Sequence, residues 1–136
     1  FPIGQNKKDK KQRKNFIKNA GENSIKVKEL NNILKKKKFK NFSLVKGDVL
    51  ETIPKFLIKN KNLKFSFINL DLDLYEPSLY VLEMFYPKLS KNGIIMLDNY
   101  GEFYGETKAV KEFIVRKKIK IKKLILGKKI LFYIQK

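Results

Sequence analysis

Asp71 and the pair Asp98-Asn99 each close a short apolar run in a chain that is otherwise strongly basic. The runs read FSFINLDLDLYEP (65–77) and NGIIMLDNYG (92–101), strand-like stretches that finish on oxygen-bearing side chains. One helix-length segment separates them. In a parallel α/β sheet, that spacing sets Asp71 beside Asp98 and Asn99 at the carboxyl ends of neighbouring strands, where such folds build their sites. Oxygen ligands without His or Cys suit a hard divalent cation such as Mg²⁺.

The charge distribution points to the same region. The chain carries a net +19, yet residues 62–106 hold only three Lys against seven Asp and Glu. Clustered carboxylates repel one another unless something positive sits among them. The alternative is that the acids cap helix N-termini, a role that suits Glu76 and Glu106.

At 136 residues the chain is one domain at most. It has no Cys, so disulfides and thiol chemistry are out, and no His, which removes His-based general bases. No apolar run approaches the roughly 18 residues of a membrane span, and no signal-peptide pattern opens at Phe1, so the chain reads as cytoplasmic and free of membrane. Lys, Asn, Ile and Phe are abundant while Ala is scarce and Trp absent, the bias of AT-rich coding. Lys then fills ordinary solvent faces, and Lys35 to Lys38 suit a helix C-terminus. The basic charge supports weak attraction to polyanions rather than a specific nucleic-acid site.

The elements that must position these residues follow from periodicity and turn chemistry. Residues 1–22 read as a basic surface loop. Ser24 is placed to cap a helix over about 25–38, with Val27, Leu30, Ile33 and Leu34 on one face. Residues 42–46 read as a strand, and Gly47-Asp48 as a turn. A helix is expected from Thr52 to about residue 60, with Pro54 in its first turn. Strand 65–70 follows, and Pro77 opens the next helix, whose stripe is Leu79, Leu82, Phe85, Tyr86 and Leu89. Phe85 and Tyr86 belong to the core rather than to a site. Pro87 ends that helix. Asn92-Gly93 turns into strand 94–98, and a helix runs from Glu106 to about Lys117. Strands 120–126 and 130–135 flank Gly127-Lys128-Lys129 as a β-hairpin. This alternation predicts an α/β fold with a Rossmann-like, doubly wound, mostly parallel sheet and a C-terminal antiparallel hairpin.

KGDVLETIP (46–54), NLDLDLYEPSLYVLEMFYPKLSKNGIIMLDNYG (69–101) and GETKAVKEF (105–113) resemble the macrocin O-methyltransferase (TylF-like) family. The resemblance covers residues 42–116 well and the flanks loosely. It implies an S-adenosylmethionine-dependent enzyme that methylates a sugar or related hydroxyl with help from Mg²⁺. Carried over, Asp71 matches the first metal-binding aspartate and Asp98 the second. Asn99 stands where the family usually has another Asp; the Asp-Asn pair is similar to catechol O-methyltransferase. The lysine that catechol-type enzymes place three residues after the first aspartate is Leu74 here. A carboxylate beside the acceptor can take the hydroxyl proton, and Asp71 is the expected residue for that role as well as a metal ligand. Asp48, with Gly47, could contact the cofactor's adenine or be a turn aspartate. Asp73 is a secondary acidic candidate that could instead cap the following helix. Tyr75, Tyr100, Phe103 and Tyr104 could stack on a sugar ring or simply cover the sheet end.

The family's glycine-rich cofactor loop and its ribose-binding acid have no counterpart among these residues, and Phe1-Pro2 resembles the stretch just after the family's second strand. The resemblance thus implies an N-terminally truncated fragment. Residues 23–136 would be the C-terminal part of one methyltransferase domain, the first two strands would be missing, and the chain alone would be inactive. The expected partner is a small sugar or glycoside acceptor, with room for a homo-oligomer. Two other readings compete. DLDLY (71–75) resembles the aspartate loop of haloacid-dehalogenase phosphatases, although Tyr75 fills its Thr/Val slot. A noncatalytic basic nucleic-acid-binding module would ignore Asp71 and Asp98 and bind RNA with steep salt dependence.

Overall fold

A computed structural model describes residues 7–20, 25–127 and 129–136. Five helices and four strands follow in the order α1 (Lys7–Ala20), α2 (Val27–Lys36), α3 (Val49–Lys59), β1 (Phe65–Leu70), α4 (Tyr75–Phe85), β2 (Leu89–Leu97), α5 (Tyr104–Lys117), β3 (Ile121–Leu126) and β4 (Lys129–Gln135). The sheet order is β1-β2-β4-β3. β1 and β2 are parallel, and the terminal hairpin joins antiparallel through β4. β4 therefore lies inside the sheet and β3 forms its edge.

The apolar residues of the two motif strands explain this arrangement. Leu70, Leu89, Ile95 and Leu97 are buried with Leu82 of α4, Val110 and Phe113 of α5 and Ile134 of β4. The buried positions of β1 and β2 face α4 and α5, whereas Phe67 on the edge strand β1 is exposed. Phe65 stacks at 4.8 Å on Phe85, and Tyr86 meets Phe113 edge-on at 5.4 Å, which places both α4-end rings in the core as expected. A 3₁₀ turn at Tyr86–Lys88 follows α4, where Pro87 ends the α-helical pattern.

Several boundaries differ from the sequence expectation. Residues 7–20 of the expected loop form α1; residues 1–6 and 21–22 lie outside the described residues. Lys, Gln and Arg are good helix formers, and α1 is anchored by polar contacts rather than an apolar stripe. The strand expected at 42–46 is irregular backbone, because no strand among the described residues pairs with it. α3 begins at Val49, so Pro54 sits within it rather than in its first turn. Asp48 starts the helix earlier by accepting from the Leu50 N–H at 2.9 Å. β2 begins at Leu89, and Asn92 (φ +64°) and Gly93 form an irregularity inside the strand instead of a turn before it. There Phe65 pairs with Leu89 but Phe67 with Ile94, so the extra β2 residues bulge out. α2 has no buried residue, and the Ser24 cap expected for it lies outside the described residues. No helix among the described residues is long and apolar enough to cross a membrane.

Candidate active site

The register of β1 against β2 brings the two motifs together. Leu70 pairs with Leu97, and the Asp98 N–H extends the ladder by donating to the Leu70 carbonyl at 3.0 Å. Asp71 and Asp98 therefore leave neighbouring strands at the same level, both exposed. The chain then folds Asn99 back between the loops. Its Nδ2 donates to Asp71 Oδ1 at 3.1 Å and to Asp73 Oδ1 at 2.6 Å. Asp73 is thus part of the same cluster, not a cap for α4, whose N-cap is Leu74 without a side-chain hydrogen bond. Asp73 has φ +60°, and the Leu74 N–H donates to the Leu72 carbonyl across it at 2.5 Å. Such a tight γ-type turn on a non-glycine residue stores strain at the site.

The crowding of carboxylates leaves its mark on Asp73. The Asp73 carboxyl is raised from 3.8 to about 6, first by burial and then by the negative charges of Asp71 and Asp98. Glu106 is fully buried and is raised to about 7 by desolvation, against the lowering pull of backbone N–H groups on its oxygens. Glu106 was expected only to suit the start of α5. Instead its carboxylate reaches out of the helix: Oε1 accepts from the Asn99 N–H at 3.1 Å and Oε2 from the Leu72 N–H at 3.4 Å. Its own N–H donates to the Asp73 carbonyl at 3.0 Å.

The residues beside Glu106 complete this joint. Gly105 is a close approach of backbones: a Cβ there would lie 2.5 Å from the Tyr75 nitrogen and 2.7 Å from the Asp73 carbonyl oxygen. Thr107 Oγ1 accepts from the Gly101 N–H at 2.8 Å. From α1, buried Asp9 accepts from the Tyr75 N–H at 3.3 Å, and Gln12 bridges the Glu102 carbonyl and the Tyr104 N–H. None of these supports was legible beforehand. Their signal is a lone acid at a helix start and polar residues on a helix without an apolar stripe, patterns that also occur on ordinary surfaces.

The other expected site residues divide. The Tyr75 hydroxyl donates to Glu112 Oε2 at 2.5 Å, and Lys108 Nζ lies 4.5 Å from the ring centre, so this ring is engaged by α5. Tyr100 packs edge-on against Phe132 at 5.0 Å, a core contact at the sheet end. Tyr104 is exposed, with Lys8 Nζ 4.2 Å above its ring. Phe103 is the half-buried N-cap residue of α5. Gly47, at φ +136°, turns the chain into α3, and the Asp48 carboxylate is the helix cap described above. A cleft of about 360 Å³ runs between residues 43–49, α3 and the open edge of β1, lined among others by Gly47, Val49, Asn69 and Asp71.

The donors at the strand ends are hard oxygens, which in kind fit a hard cation. Their mutual repulsion, visible in the raised Asp73, is what a bound cation would relieve. Asn99 presents nitrogen to Asp71 and Asp73, so its amide would have to turn over to offer Oδ1. Among the described residues no three Asp, Glu, His or Cys side chains are grouped to hold a metal. The set Asp71, Asp98 and Asn99 contains only two carboxylates and is completed by an amide.

Fold and geometry together define a Rossmann-like α/β arrangement with acidic loops at the carboxyl ends of its two adjacent parallel strands. Residues 5–128 match the Macrocin-O-methyltransferase (TylF) family, and the chain belongs to that family. No curated protein matches. Among solved structures, two of the calicheamicin methyltransferase CalS11 share 35% identity over 68% of this chain, with TM-score 0.58. One of them is described as a TDP-rhamnose 3'-O-methyltransferase. The O-methyltransferase NovP matches all of this chain at 20% identity with TM-score 0.80, a likeness of fold. The chain spans 41% and 36% of the two CalS11 chains and 55% of NovP. Family membership displaces the phosphatase reading of Asp71 and Asp73.

Proposed function

We propose that this chain carries the acceptor side of an S-adenosylmethionine-dependent O-methyltransferase that acts on a sugar hydroxyl. The observation that carries the reading is the meeting of Asp71, Asp73 and Asn99 at the ends of two parallel strands, with Asp98 beside them. CalS11, a relative at 35% identity, supports a sugar as the acceptor class.

Methyl transfer to oxygen needs a deprotonated or polarised hydroxyl held in line with the donor. Asp71 is exposed at the mouth of the site and is the group placed to take the hydroxyl proton. Asp73, raised to about 6, is a second carboxyl beside it that takes up its proton just below neutral pH. Asp71, Asp98 and Asn99 are the residues that would hold Mg²⁺, which when bound supplies Lewis-acid activation and chelation of the acceptor oxygens. The cleft between Gly47 and Asp71 is the place for the adenine end of the cofactor, with the Gly47-Asp48 turn at its rim. Tyr104, exposed on α5 with Lys8 over one face of its ring, is the more accessible of the rings that could meet a sugar face, whereas Tyr75 and Tyr100 are held by Glu112 and Phe132.

The test is methyl transfer from labelled S-adenosylmethionine to nucleotide-activated deoxysugars, with Mg²⁺, by the natural polypeptide that contains these residues. A labelled methyl ether is expected, and Asp71→Asn is expected to lower turnover by about 100-fold or more. Unchanged turnover in Asp71→Asn, or label on no sugar hydroxyl, would contradict the proposal.

A further inference from the structure

We infer that Glu106 is a positioning residue whose buried carboxylate fixes the distance between the two acidic loops of the site. The inference rests on the functional reading above but concerns a residue outside the reacting set. Glu106 is wholly buried although it carries a carboxylate, and both of its oxygens are used. One takes the N–H of Leu72, which lies between Asp71 and Asp73; the other takes the N–H of Asn99, next to Asp98. These are the loops that follow β1 and β2. Beyond the Asp98 N–H bond to Leu70, the strands themselves no longer hold the two loops together. Besides the Asn99 amide, which reaches Asp71 and Asp73, the Glu106 side chain holds the backbones of both loops at once.

The surroundings show that the position is built for this purpose. Gly105 lets the first turn of α5 press against the Asp73 carbonyl and the Tyr75 nitrogen, where any Cβ would collide. The Glu106 N–H donates to that same Asp73 carbonyl, so the Asp71–Asp73 loop is gripped by backbone and by side chain. Thr107 takes the Gly101 N–H and holds the far side of the Asp98-Asn99 loop. An ordinary first-turn glutamate faces solvent and serves the helix dipole alone; here, two backbone donors offset part of the cost of burying the carboxyl group. Gln cannot replace it, since its amide has one acceptor oxygen and would set an N–H₂ against a second N–H.

The experiment compares the ¹⁵N-labelled chain with Glu106→Gln by amide exchange and by Mn²⁺ titration. In Glu106→Gln the Leu72 or Asn99 amide should exchange with solvent at least about tenfold faster, while Ile95 and Ile134 in the core keep their protection. The Mn²⁺ affinity should fall by about 10- to 100-fold, the range for partners that orient ligands. Unchanged exchange at both Leu72 and Asn99 overturns the inference. If the unmutated chain binds no Mn²⁺, the metal part of the functional reading fails while the amide readout still decides the role of Glu106. If Glu106→Gln does not fold, the unmutated chain decides: protection at Leu72 and Asn99 supports the clamp, and exchange at the open-chain rate overturns it.

Discussion

Asp73 and Glu106 have raised carboxyls, and the consequence for stability has a definite sign. Both hold their protons more tightly in the folded chain than in the unfolded one. The stability they contribute is full below their ordinary values of 3.8 and 4.5 and is lost as pH rises through about 6 and about 7. Asp73→Asn removes one of these groups, and Asn tolerates the left-handed backbone at that position. With divalent cations chelated, Asp73→Asn should melt roughly 2–4 °C above the parent at neutral pH, after discounting for partial exposure. The two should converge near about pH 3.5, where both carry a neutral side chain. Melting curves at the two pH values check this, and a midpoint lowered at neutral pH would refute it. Asp71, Asp98 and Asn99 were legible in the sequence because each ends an apolar run. Glu106 was not, because its partners are backbone groups of loops 34 and 7 residues away.

At the level of elements, strong apolar runs were read well and polar anchors were not. β1 forms over the residues expected, and α4 and α5 lie close to them, because each carries apolar residues that the core takes up. α1 escaped, since Asp9 and Gln12 hold it through hydrogen bonds that leave no hydrophobic stripe. Residues 42–46 have strand composition, but a strand exists only by pairing, and composition cannot report a missing neighbour. The Asn92-Gly93 signal was read as a turn; it is a bulge, and both need the same backbone freedom. The junction of α5 with the β1 loop gives the sharpest element-scale prediction. Gly105→Ala should destabilise the chain by about 1–3 kcal/mol, the cost of forcing an extra group into packed backbone. Chemical denaturation measures it, and a neutral effect would mean that the helix end can back away from Asp73.

For the whole molecule, the folded core and the charge oppose each other. A compact set of Leu, Ile, Val and Phe side chains from β1, β2, β4, α4 and α5 holds the sheet. The net charge of +19 pushes outward. Basic residues crowd α1, the end of α2 and the hairpin, whereas the two parallel strands end on acids. Raising ionic strength from about 0.01 to about 0.15 M should therefore raise the melting midpoint, because like charges are screened. A midpoint that falls with salt would show that ion pairs such as Arg116 and Lys117 with Glu83 outweigh the repulsion. At the strand ends a cation would relieve the repulsion of Asp73 by Asp71 and Asp98, the claim most open to direct test. Mn²⁺ titration of the chain, followed by electron paramagnetic resonance at neutral pH, tests it directly. The account predicts one saturable site, weakened at least about tenfold by either Asp71→Asn or Asp98→Asn. Saturable binding that both substitutions leave intact, or none in the unmutated chain, would contradict the claim that these two strand ends form a single cation-binding centre.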